Sequence, residues 1–85
     1  MKNIHYNEEK RTKLLAERGI DLHIVAHIIN DVGVVDRMPN TKRKGQIIYV
    51  IMYEGYCCAV PVVENDNEIF IKTAYLSRKL KKIYY

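Results

Sequence analysis

The stretch that decides the fold is Gln46–Val63, QIIYVIMYEGYCCAVPVV. Gln46 to Tyr53 reads as a strand, Glu54-Gly55 as a tight turn, and Tyr56 to Val63 as the returning arm of a hairpin. Both arms are apolar at odd and even positions alike, so both faces call for cover. That places the hairpin centrally in a sheet with helices over at least one side. Pro61 lacks a ladder donor, which restricts it to an edge, a bulge or a strand end. The chain's two cysteines, Cys57 and Cys58, are adjacent here. On a strand they point to opposite faces and cannot bridge each other, so buried free thiols are expected.

Downstream, Glu64-Asn65-Asp66-Asn67 is a polar turn and Glu68 to Tyr75 a last strand. Strict alternation puts Ile69, Ile71 and Thr73 on one face and Phe70, Lys72 and Ala74 on the other. Lys72 then stands on a sheet face beside an aromatic ring, a costly place for a charge without a partner or a task. The chain turns at Leu76-Ser77 into a short helix whose apolar positions Leu80, Ile83 and Tyr84 recur at i, i+3 and i+4. No acidic residue follows Glu68, while Lys72, Arg78, Lys79, Lys81 and Lys82 all do. Ser77 reads as the N-cap. Arg78 and Lys79 then lie at the positive pole of the helix, an unfavourable arrangement that a bound anion such as phosphate reverses. The competing reading is a solvated basic tail on a terminal helix.

Upstream of the hairpin, Pro39-Asn40-Thr41-Lys42-Arg43-Lys44-Gly45 is a turn-rich basic loop, preceded by a strand over residues 34–38. Its Lys42-Arg43-Lys44 run either steers RNA or keeps the loop solvated. Asp21 caps a helix, DLHIVAHIIND, that stops near Gly33; its apolar residues cover more than half the circumference, so it packs deeply. His23 and His27 have the i, i+4 spacing of metal ligands, yet no third ligand accompanies them, and no metal is assigned. Asn7 caps an earlier helix that opens on Glu8-Glu9, pairs Glu9 with Lys13 and ends at Gly19. Ile4-His5-Tyr6 is a short extended lead-in, with Tyr6 placed to pack back on the helix.

The 85 residues fit one domain spanning 1–85, of α+β class. Two N-terminal helices pack on a three- to four-stranded antiparallel sheet, followed by a short C-terminal helix. One sheet face stays partly open. A hydrophobic share of 48% is that of a globular chain. The net charge of +4 favours an acidic partner, nucleic acid or protein. No apolar run approaches the roughly 20 residues of a membrane span, and MKNIHYNEEK holds no signal core, so a cytoplasmic location is expected.

Tyr6-Asn7-Glu8-Glu9-Lys10, then Arg18-Gly19-Ile20 and Leu22, resembles the opening of BrnT-type toxins. Ile69-Phe70-Ile71-Lys72-Thr73 and Ser77-Arg78-Lys79, with Tyr84 near the end, is similar to that family's closing strand and basic turn. The similarity runs over essentially the whole chain. It departs from the family at Tyr6 (tryptophan), Asn7 (aspartate), Leu14 (asparagine) and Arg18 (histidine), and Lys72 stands in for a strand arginine. The resemblance implies a RelE-like ribonuclease, the toxin of a type II toxin–antitoxin pair. It further implies a small DNA-binding antitoxin as partner, and a homodimer or a toxin–antitoxin heterotetramer as the assembly.

Metal-free RNA cleavage needs a base for the 2′-OH, cations for the five-coordinate phosphorus and an acid for the leaving 5′-oxygen. No cofactor is called for. Arg78 suits the transition-state charge through its planar fork. Lys72 or Lys10, partly desolvated, serves as base or acid. Lys79, Ser77 and Lys42, Arg43 and Lys44 hold RNA, and Tyr6 or Tyr75 stacks a base. The alternative is a non-catalytic basic module that binds RNA or an acidic protein.

Overall fold

The computed structural model describes residues 3–77. The expected C-terminal helix, with Arg78, Lys79, Leu80, Ile83 and Tyr84, lies outside the described residues. Helix α1, Glu8–Arg18, starts where Asn7 Oδ1 accepts from the amides of Glu9 (2.8 Å) and Lys10 (3.2 Å). It stops at Gly19, whose φ of 68° lets the chain reverse, with the Ile20 amide reaching back to the Leu14 carbonyl. Helix α2, Leu22–His27, is capped by Asp21, which accepts from the His23 amide at 2.9 Å. The same carboxylate takes a two-pronged contact from Arg11, 2.8 Å from Nε and 3.4 Å from Nη2. That guanidinium holds the Asp21 carboxyl below the usual carboxylate range. One uninterrupted helix was expected over 21–31; instead Ile28–Val32 forms a wider π turn, closed by the Gly33 amide on the Ile28 carbonyl at 2.8 Å. The extra residue in that turn keeps both Ile28 and Ile29 against the core.

The class is α+β, but the sheet is larger than the sequence suggests. Strands β1 (Asn3–His5), β2 (Asp36–Pro39), β3 (Ile47–Tyr53), β4 (Tyr56–Glu64), β5 (Glu68–Ile71) and β6 (Tyr75–Leu76) form one six-stranded sheet. Its order is β1-β5-β4-β3-β2, with β6 also paired to β4. It is mixed rather than antiparallel, because the lead-in before α1 runs parallel to β5, with Ile4 beside Ile69. A lead-in this short carries no alternation from which a strand, still less its direction, is readable. The hairpin is as expected: β3 and β4 pair from Ile47↔Val62 to Tyr53↔Tyr56, and Glu54 (φ 50°) and Gly55 (φ 82°) make the turn.

Leu14, Ile20, Leu22 and Val25 from the helical side pack on Tyr49, Ile51, Cys58, Val60, Val62, Ile69 and Ile71. This is the main core, and it occupies one face of the sheet. Tyr49 donates its hydroxyl to Glu64 within that face, and burial, aided by the carboxylate, pushes its pKa up to about 12. The opposite face is partly open, as expected, with Val63 and Phe70 exposed, while its centre is closed by buried Val50, Cys57 and Ala59 with Met38, Ile48 and Met52 packed against them. The cysteines are free and divided between the two faces, as alternation requires. Burial pushes the Cys58 thiol up to about 12.

Candidate nucleic-acid interface

The site is built by a defect in pairing along one side of β4. Val62 stands opposite Ile71, and Ala59 opposite Tyr75. Between those rungs, Val60 and Pro61 face Lys72, Thr73 and Ala74, so the closing strand carries one residue too many and bulges. Pro61 explains the location. Its carbonyl accepts from the Lys72 amide at 2.9 Å, and a strand residue's N–H points the same way as its C=O. Pro61 has no N–H, so a rung is missing where the extra residue sits. Of the three settings open to Pro61, the bulge is the one realised.

The bulge corrects the expected alternation. Ala74 swings into the main core and is buried, while Lys72 stays exposed and Thr73 is half-buried. The carbonyl of Ala74 is taken by Arg18, whose Nη1 donates to it at 2.9 Å from the last turn of α1. A long, forked side chain thus ties the helix layer to the displaced strand.

A cleft of about 640 Å³ opens beside the bulge. Five basic side chains line it: Lys10, Arg18, Lys42, Arg43 and Lys72. Thr73 and Tyr75 contribute a hydroxyl and a half-exposed ring, and among the described residues no carboxylate is in the lining. The β2–β3 loop presents Lys42 and Arg43 on a braced frame. Asn40 bonds Gln46 through both backbone (3.1 Å) and side chain (3.2 Å), and its Oδ1 accepts from the Lys42 amide at 3.1 Å. Gly45, at φ 83°, closes the turn in a conformation that side-chain-bearing residues resist. Like charges are thereby held together with no counter-charge in the lining among the described residues, which favours an anionic ligand.

Of the residues singled out in the sequence, Lys10, Lys72, Lys42, Arg43 and Tyr75 come together here. Arg78 and Lys79 lie outside the described residues. Ser77 is described, with its amide on the Cys57 carbonyl at 3.0 Å, and it does not line the cleft. Lys44 is exposed on the loop but absent from the lining. Tyr6 is not at the cleft either: it packs against the main core, its hydroxyl 3.2 Å from His23 Nδ1. The expectation that Lys72 is partly desolvated also needs correction. Its side chain is exposed, with the ammonium 5.1 Å from the centre of the Phe70 ring.

Sequence reasoning missed Arg18 as a site residue, registering it only beside the Gly19 stop and as a departure from the family's histidine. Its value comes from a contact 56 positions away in the chain. The histidines are engaged elsewhere, His5 near Glu68 (3.7 Å), His23 with Tyr6, and His27 with Asp31 (2.6 Å). Among the described residues, no group of three or more His, Cys, Asp or Glu is placed to hold a metal ion. Also among these residues, no helix is long and apolar enough to cross a membrane. Compared with protein-family models, curated proteins and solved structures, the chain matches none of them.

Proposed function

We propose that the protein binds single-stranded RNA in the basic cleft and cleaves it as a metal-independent endoribonuclease, the toxin of a toxin–antitoxin pair. One observation carries the RNA reading: among the described residues, five cationic side chains from α1, the β2–β3 loop and the bulge converge on a single cleft with no carboxylate in its lining. Tyr75, at the same cleft, offers a ring for stacking, a contact that tolerates any base. The cleavage half rests on the resemblance to BrnT-type toxins together with this cation cluster.

In such a reaction the ribose 2′-oxygen attacks phosphorus, its proton leaves, and the P–O5′ bond breaks as the 5′-oxygen gains a proton. The intermediate phosphorane carries an extra negative charge, which preorganised cations stabilise. Arg18 commits one Nη to the Ala74 carbonyl and retains further N–H donors for phosphate. Lys10 and Lys72 flank the same space as proton carriers or charge stabilisers. Arg78 retains its assigned role in transition-state charge and Lys79 in RNA binding, both from sequence.

The test is incubation of the purified chain with single-stranded RNA, with and without chelator, beside Lys72→Ala, Lys10→Ala and Arg78→Ala. Cleavage is expected to survive chelation and to fall at least tenfold in each variant, with folding intact by circular dichroism. Chelator-sensitive cleavage, or full activity in all three variants, defeats the reading. A second reading is non-catalytic RNA binding, favoured by one feature: among the described residues neither a histidine nor a carboxylate lines the basic cleft to accept a proton. It predicts salt-sensitive binding, with log K falling by about 0.7 per phosphate contact per decade of salt, and intact RNA at every protein concentration.

A further inference from the structure

A second cavity of about 410 Å³ shares Lys10 and Lys72 with the basic cleft but is otherwise lined by different chemistry. It opens where β1 ends at His5 and no longer pairs with the closing strand, between the start of α1 and residues 70–72. Asn7, Glu9, Lys13, Phe70 and Ile71 complete it. We propose that this cavity is a base-binding subsite selective for guanine, adjoining the phosphate-binding cleft. The inference rests on the RNA reading above.

Three features carry it. First, the two cavities share walls, so a strand held by its phosphates in the cleft has its next nucleotide at the mouth of the second cavity. Second, that cavity holds a carboxylate. The ion pair with Lys13 expected from the sequence is not formed: among the described residues the Glu9 side chain accepts no hydrogen bond and makes no ion pair, and it lies in the exposed first turn of α1. Lys10, Lys13 and Lys72 attract the neighbouring phosphates, while the Glu9 carboxylate repels them, so the group that docks on Glu9 itself is a base edge. Third, the donors of the bases differ. Guanine alone presents two adjacent donors, N1–H and N2–H, which a single carboxylate accepts side by side; cytosine and adenine offer one amino group, and uracil one imino N–H.

The remaining lining fits the same ligand. Asn7 spends its Oδ1 on the helix cap, which leaves its Nδ2 donors for an acceptor such as guanine O6. Phe70 is 40% exposed and supplies the apolar wall against which a base packs. In the free protein the Lys72 ammonium rests over that ring, 5.1 Å from its centre. A phosphate in the adjoining cleft draws the ammonium away and clears the ring, so Lys72 couples backbone binding to base binding.

The experiment uses the full chain and short uridine-rich oligoribonucleotides carrying a single guanosine, adenosine or cytidine, read by fluorescence anisotropy. The guanosine oligonucleotide is expected to bind about tenfold more tightly than the adenosine one, the size of a good two-point base contact. Glu9→Gln and Glu9→Ala are expected to bring that ratio close to one, while affinity for the other oligonucleotides stays level or rises as a negative charge is lost. Phe70→Leu is expected to weaken the guanosine complex while keeping the salt dependence. Equal binding of all oligonucleotides by the native chain, or a guanosine preference unmoved by Glu9→Gln, overturns the subsite while leaving RNA binding in place. Failure of every oligonucleotide to bind overturns RNA binding and the subsite together.

Discussion

Strand β4 is paired on both sides, and its two sides behave differently. Against β3 it makes an unbroken antiparallel ladder from Ile47↔Val62 to Tyr53↔Tyr56, and each residue keeps the face that alternation assigns. Against β5 and β6 the ladder slips by one residue at 72–74, opposite Pro61. The regular side buries Tyr49, Val50 and Ile51 completely and holds the fold. The slipped side presents Lys72, Thr73 and Tyr75 to a cleft. A single missing N–H therefore separates a regular seam from one that opens a basic cleft, and the two sides should respond differently to substitution.

The largest effect is expected on the regular side. Ile51 is fully buried in the main core, so Ile51→Ala should cost about 2–5 kcal/mol by lost transfer energy and an unfilled cavity. Urea unfolding measures this directly, and at a permissive temperature the residual folded protein should still bind RNA. A loss under about 1 kcal/mol, below the range for such truncations, would mean that the regular ladder is not the seat of stability.

Two arginines sharpen the contrast at smaller cost. Arg18 anchors the bulge through the Ala74 carbonyl, whereas Arg37 lies over the Tyr49 ring, 5.0 Å from its centre, on the regular side. Arg18→Ala removes a charge-assisted bond and should cost about 1 kcal/mol of stability. RNA affinity should fall in the same variant, because the bulge loses its tether and the cleft a cation. Arg37→Ala should cost about 0.5 kcal/mol and leave RNA affinity unchanged. If the two variants prove alike in RNA binding, the bulge has no special role in the cleft.

The same contrast explains what the sequence discloses. The hairpin, both helix caps, the Gly19 stop and the separation of Cys57 from Cys58 follow from local rules, and the structure keeps them. Alternation also runs correctly along Ile69–Ile71. It fails at Ala74, because an inserted residue is a property of two strands compared, and neither strand shows it alone. Pro61 was the available clue, readable as a bulge only once its partner strand was known. Lys10, Lys72, Lys42, Arg43 and Tyr75 were identified by residue type, but their convergence depends on long-range packing. Arg18 was hidden for the same reason. Tyr6, aromatic and close to the expected site in sequence, is drawn away by the core and by His23.

The smallest effect expected at neutral pH becomes the most informative in acid. Asp21 caps α2, receives Arg11, and gives its own amide to the Tyr53 hydroxyl at 3.1 Å, so it fastens the helices to the end of the regular hairpin. Its pKa in the folded protein is lowered from 3.8, chiefly by the hydrogen bond from Arg11. A depressed carboxyl favours the folded state when ionised. Its contribution is therefore complete above the unfolded-state pKa and disappears as pH falls through the folded-state value. Asp21→Asn keeps a capping oxygen but removes the charge. The stability gap between native and variant should be constant above about pH 5 and close below pH 4, as urea unfolding across that range would show. A gap independent of pH would mean that the carboxylate acts only as a cap. Among the described residues the basic cleft has no carboxylate in its lining, so the proposed binding of RNA phosphates should persist as the gap closes, until the protein unfolds.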